Sequence, residues 1–121
     1  MKLLKDSASR VILKFANAFS GWKYSLFTDH SIQLQIGLGV LTVLAGLVLR
    51  VRGNDWLWLF SAIVIVIGFE AINSCIESLC DLVSLARDER IKRIKDMGSG
   101  FVLLAALYAI VVGISVFSRY L

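Results

Sequence analysis

Proline is absent from this 121-residue chain, cysteine occurs twice and histidine once. Without proline no helix has a built-in kink or stop, and no proline-rich linker separates domains. Cys75 and Cys80 stand on what reads as one helix and face different directions, so they form no disulfide framework and read as buried free thiols. His30 has no second His or Cys at metal-ligand spacing, which leaves it as an interfacial residue rather than a ligand. Neither GxxxxGK[ST] nor GxGxxG occurs, so the chain is not a P-loop enzyme or a relative of the protein kinases. A cleaved signal is not expected either: Lys2, Lys5, Arg10 and Lys14 interrupt each apolar run before an h-region can form, and the mature chain is expected to start at Met1. There is no internal repeat and no low-complexity segment.

What is present is apolar surface. With 58% hydrophobic residues and a mean hydropathy of +0.78, a disordered chain or a soluble loop-rich module is excluded, and the length suits one membrane domain over 1–121. From Leu4 to Leu26 apolar residues recur every three or four positions with Lys5, Arg10, Lys14 and Lys23 between them, which predicts an amphipathic surface helix over 1–28. A break follows near Thr28, Asp29, His30 and Ser31. Ile36 to Leu49 is uncharged, and with the residues around it gives a first span expected over 32–51. A polar turn leads to Trp56 and Trp58, which fit an aromatic belt, and a second span is expected over 56–85. Arg87, Arg90, Lys92, Arg93 and Lys95 mark 86–96 as a loop, and 97–118 forms an uncharged third span.

Charge placement orients these spans. Lys2, Lys5, Arg10, Lys14 and Lys23 share a side with the five basic loop residues, against Arg50, Arg52 and Arg119 opposite: ten against three, accounting for all 13 Lys and Arg. The positive-inside rule then puts the N-terminus and the 86–96 loop in the cytoplasm of a cell whose inner membrane the chain crosses several times.

The second span carries the chemistry. At 100° per residue Glu70, Asn73, Glu77 and Asp81 fall at about 0°, 300°, 340° and 20°, one face of a helix that is otherwise apolar. A carboxylate in hydrocarbon costs several kcal/mol, so such a stripe needs cations, partners or water. Carboxylates beside a basic loop at a cytosolic surface suggest a divalent metal and a phosphorylated ligand, since Mg²⁺ takes one or two protein carboxylates and completes its shell with phosphate oxygens. Glu77 and Asp29 are the candidate metal ligands. A base must also take a proton from an acceptor hydroxyl, and Glu70, the carboxylate nearest the hydrocarbon, suits that role. Lys95, ahead of Asp96 at the mouth of the third span, can place positive charge on transferring phosphate oxygens.

Together, Glu70-x-x-Asn73-x-x-x-Glu77-x-x-x-Asp81 and Lys95-Asp96-Met97-Gly98-Ser99 resemble the prokaryotic diacylglycerol kinase and undecaprenol kinase family, and the resemblance covers nearly the whole chain. It implies an all-α integral-membrane homotrimer, an amphipathic helix plus three spans in each subunit, with sites shared between neighbours. It further implies transfer of the ATP γ-phosphate, with Mg²⁺, to a membrane lipid hydroxyl. By position Glu70 resembles the general base and Glu77 a metal ligand. Asn73, Asp81, Lys95 and Asp96 resemble nucleotide and phosphate contacts, and Arg10 the arginine at the nucleotide and lipid headgroup; Ser99 is a further lipid-side candidate. Asp29 stands where the family commonly has a second metal-binding Glu, one methylene longer, and Asn17 where an aromatic residue is usual.

Two other classes compete. A small oligomeric transporter or channel subunit would use the carboxylates to relay protons or hold cations, and would need them near the bilayer midplane. A non-catalytic membrane scaffold would use the stripe to hydrogen-bond packed spans. Glu70 follows about fourteen apolar residues, and Glu77 and Asp81 lie nearer the interface, which favours the kinase.

Overall fold

Four helices and no strand make up the chain in the computed structural model, which describes residues 1–121: α1 (Lys2–Thr28), α2 (His30–Val48), α3 (Asn54–Val83) and α4 (Glu89–Phe117). The residues divide into two units, Met1–His30 and Ser31–Leu121. Helices α2, α3 and α4 are each long and apolar enough to cross a membrane, and few residues of their apolar windows are buried. Leu38, Val64, Leu104 and Ile114 are among the side chains left uncovered. Lipid is the solvent that such a surface fits, and the chain is a membrane protein.

In the first unit, α1 has no buried residue. Ser9 Oγ donates to Lys5 O at 2.9 Å and Thr28 Oγ1 to Tyr24 O at 2.6 Å, so both hydroxyls are satisfied within the helix. Phe19 and Trp22 meet edge to face, their centroids 5.2 Å apart. Asp29 ends the helix in extended backbone while its N–H still reaches Ser25 O.

In the second unit, α2 and α3 are joined by a turn built on two left-handed residues. Val51 N–H bonds Gly46 O at 2.9 Å and Arg50 N–H bonds Leu47 O at 3.3 Å, the paired bonds of a Schellman end. Arg50 holds the left-handed position at φ 57°, where glycine is usual. Gly53 follows at φ 59° and ψ −131°, a conformation only glycine adopts freely, and α3 starts at the next residue. Trp56 Nε1 donates back to Val51 O at 2.8 Å, which pins the turn to α3. Trp56 also stacks on Phe60.

Helices α3 and α4 run antiparallel, as the contacts between them in order along the pair require. Asp81 meets Lys95, Ser61 Oγ lies 3.1 Å from Tyr108 Oη, and Asp55 meets Arg119. The core sits toward the end of the pair holding Asp55, where Val51, Leu59, Ala62, Val112 and Val116 pack together.

The loop expected over 86–96 is shorter than the basic residues suggested. Helix α3 closes at Ser84 and α4 already begins at Glu89, because Asp88 caps it: Asp88 Oδ1 accepts from Arg90 N–H at 2.8 Å. Arg90 also pairs with Asp88 Oδ2 at 3.1 Å, so the charges that mark a loop by composition here start a helix. Of the two thiols, Cys80 is buried and Cys75 is exposed, so only one of them matches the buried reading.

Candidate functional site

The acidic face of α3 turns toward the first turns of α4. Asn73 is its buried member, 7% exposed, and its Nδ2 donates to Glu77 Oε1 at 3.1 Å, one helical turn on. Its Oδ1 is buried without a hydrogen-bond partner. The carboxamide lies against Gly98 of α4, where a Cβ would stand 3.3 Å from Asn73 Cγ and overlap Oδ1. A larger residue at 98 therefore has no room while Asn73 stays in place.

Four residues beyond Glu77 on α3, Asp81 Oδ1 accepts from Lys95 Nζ at 2.7 Å. Lys95 is half-buried, with 37% of its side chain exposed. Asp96, expected beside it at the phosphate, pairs instead with Lys92 on its own helix at 2.8 Å and is exposed. Glu77 is exposed and Glu70 half-buried. Ser99 is exposed on α4, while Arg10, exposed, and Asp29, half-buried, belong to the first unit.

The arrangement brings together Asn73 with Glu77, and Asp81 with Lys95, at the end of the α3 and α4 pair remote from the apolar core. Chemically it offers carboxylate oxygens and an ammonium donor within a few helical turns. No three His, Cys, Asp or Glu side chains converge into a metal cage. That donor set suits a hard divalent cation shared with phosphate oxygens, because Mg²⁺ commonly takes only one or two protein carboxylates. Glu77, with one oxygen engaged by Asn73, keeps a second for such an ion.

Electrostatics at the mouth of α4 follow the capping geometry. The hydrogen bonds from the Arg90 side chain and backbone N–H hold the Asp88 carboxyl below its ordinary value.

A second polar cluster lies at the other end of the pair, and the sequence reading did not find it. Tyr120 Oη donates to Asp55 Oδ2 at 2.6 Å and accepts from Arg52 N–H at 3.1 Å, while Arg119 pairs with Asp55. Only the antiparallel register of α3 and α4 joins residues this far apart in sequence. Charge placement alone assigns Arg119 only to orientation.

Comparison with known proteins adds to this geometry. The sequence pattern of prokaryotic diacylglycerol kinase matches residues 16–117. A diacylglycerol kinase of Synechocystis sp. is 30% identical over 107 residues, covering 88% of this chain and 61% of that protein. An undecaprenol kinase of Bacillus subtilis is 21% identical over 113 residues, covering 93% of this chain and 92% of that protein. The chain thus spans less than two thirds of the Synechocystis relative and nearly all of the Bacillus one. With 16–117 matched, the chain belongs to the prokaryotic diacylglycerol kinase family.

Proposed function

We propose that this chain is an ATP- and Mg²⁺-dependent lipid kinase that moves the γ-phosphate to the hydroxyl of a membrane lipid, diacylglycerol or undecaprenol. Its relatives bear the names of those two kinases. The observation that carries the reading is the pairing of Lys95 with Asp81 beside the Asn73 and Glu77 pair, at one end of two helices long enough to span a bilayer. A transporter has less support, since Asp81 and Lys95 pair near the close of α3 and the start of α4 and not at mid-span.

In this reading Glu70 accepts the proton of the lipid hydroxyl, whose oxygen forms a bond to the γ-phosphorus as the bond to the β,γ-bridging oxygen breaks; lipid phosphate and ADP are the products. Lys95 meets the charge on the transferring oxygens, and Asp81 holds its ammonium in place. A bound Mg²⁺ would neutralise phosphate charge; Glu77 is the second unit's candidate ligand for it and Asp29 the first unit's. Asn73 orients Glu77, Asp96 is the candidate nucleotide contact and Ser99 the candidate at the lipid headgroup; in the first unit Arg10 is the candidate for both roles. The apolar side chains of α1 fit the surface of the inner membrane, and the site of α3 and α4 faces the cytoplasm. A single α3 stripe cannot enclose ATP and a lipid together, so the active form is a homotrimer with shared sites.

The test is purified protein with radiolabelled ATP and each lipid in turn. Label in phosphatidic acid or undecaprenyl phosphate is expected. No transfer to either lipid by folded protein would overturn the reading.

A further inference from the structure

We propose that Gly98 is a positioning residue for the metal-binding carboxylate: its missing side chain makes the space in which Asn73 holds Glu77. The inference rests on the reading of Glu77 as a metal ligand.

Three observations meet here. Asn73 is the one buried polar residue of the chain, and its amide has a single hydrogen bond, from Nδ2 to Glu77 Oε1. Its Oδ1, turned the other way, is shut off from solvent and has no hydrogen-bond partner. What shuts it off is α4 at Gly98, where an added Cβ would overlap that oxygen and crowd Asn73 Cγ at 3.3 Å. An oxygen this close to backbone tolerates a Cα–H neighbour but not a methyl. The amide is therefore wedged, and its other end is fixed on Glu77.

A buried acceptor without a partner is a cost that packing alone would remove by substituting an apolar side chain. Retaining the amide has a use if its donor end fixes the carboxylate, as outer partners fix metal ligands generally. Gly98 acts on Glu77 only through Asn73.

The experiment is Mn²⁺ binding, with a non-hydrolysable ATP analogue, to the purified full chain, followed by electron paramagnetic resonance beside turnover and thermal unfolding. Gly100→Ala, whose methyl meets open space, is the reference for adding a methyl to α4. Gly98→Ala is expected to weaken Mn²⁺ binding about tenfold or more. Asn73→Ala should do the same, and the double variant should lose no more than Asn73→Ala alone, because the methyl then has nothing to displace. Should Gly98→Ala fail to fold, the double variant must fold and match Asn73→Ala in affinity; a double variant that also fails to fold overturns the proposal. Mn²⁺ affinity of Gly98→Ala equal to that of Gly100→Ala, or losses that add in the double variant, would overturn it too. If Glu77→Gln weakens binding while Gly98→Ala does not, the link through Asn73 alone is wrong. If Glu77→Gln binds Mn²⁺ normally, the reading of Glu77 falls and takes this inference with it.

Discussion

Lys95 Nζ stands 2.7 Å from Asp81 Oδ1, closing fourteen residues of chain across the end of α3 and the start of α4. The pair is open to solvent, with side-chain exposures of 37% and 51%, and pairs so exposed add little to stability. The proposed use of the pair is to place the ammonium. Lys95→Met is therefore expected to lower turnover about 10²-fold, the loss typical of one donor to a charged transition state, with the unfolding midpoint almost unchanged. Asp81→Asn keeps the ammonium and loosens it, so its loss should be smaller. Lipid phosphorylation and thermal unfolding on both variants check this; a large drop in midpoint with proportionate loss of activity would make the pair structural.

How much of this was legible before the structure depends on the range of each contact. Spacing along one helix suffices to place Glu70, Asn73, Glu77 and Asp81 on one face, and apolar runs suffice for three spans. Helix α4 starts ahead of the expected third span because Asp88 caps it, although Arg87 to Lys95 look like a loop by charge. Cross-helix facts were out of reach. That Asn73 lies on Gly98, or that Asp55 meets Arg119 and Tyr120, depends on the register of α3 against α4, which no local pattern encodes.

That second cluster carries its own expectation. Tyr120 Oη bridges Asp55 Oδ2 and the Arg52 N–H, and so fastens the last turn of the chain to the α2 and α3 turn. Tyr120→Phe removes both bonds and leaves the ring packed on the core. It should lower the unfolding midpoint by a few degrees and leave turnover unchanged, since the site lies at the other end of the helix pair. Unfolding and lipid phosphorylation of this variant decide it: an unaltered midpoint would show that the bonds contribute nothing.

Arg50 offers a backbone test. A left-handed non-glycine residue costs about 1–2 kcal/mol, while placing glycine there adds about 0.4–1 kcal/mol of chain entropy to the unfolded state. The first is the larger, so Arg50→Gly should be neutral to stabilising. Arg50→Val, with a branched Cβ forced to φ near 57°, should be clearly destabilising. Unfolding midpoints in one detergent give the ranking, and a valine variant as stable as the glycine one would mean that the turn can relax.

The division of labour between Glu70 and Glu77 is the sharpest test of the proposed chemistry. They lie seven residues apart on one face of α3, about 10 Å along the axis at 1.5 Å per residue, so they cannot serve one atom. Their surroundings differ as well: Glu77 is exposed and has one oxygen held by Asn73, whereas Glu70 is half-buried and enters no ion pair. If Glu77 holds the metal and Glu70 takes the proton, Glu77→Gln should weaken binding of Mg·ATP. Glu70→Gln should leave that binding nearly intact and lower turnover by about 10²-fold or more. Glu70→Asp should keep part of the activity, because a carboxylate one methylene shorter can still accept a proton. Were both residues structural, the Gln variants would instead lose stability or assembly with little specific effect on kcat. Nucleotide binding and lipid phosphorylation, measured together on folded Glu70→Gln, separate these cases. Near-normal phosphorylation by that variant would move the base to Asp81 or Asp96, and of these Asp96 is the less encumbered, since its partner Lys92 is an exposed neighbour on its own helix.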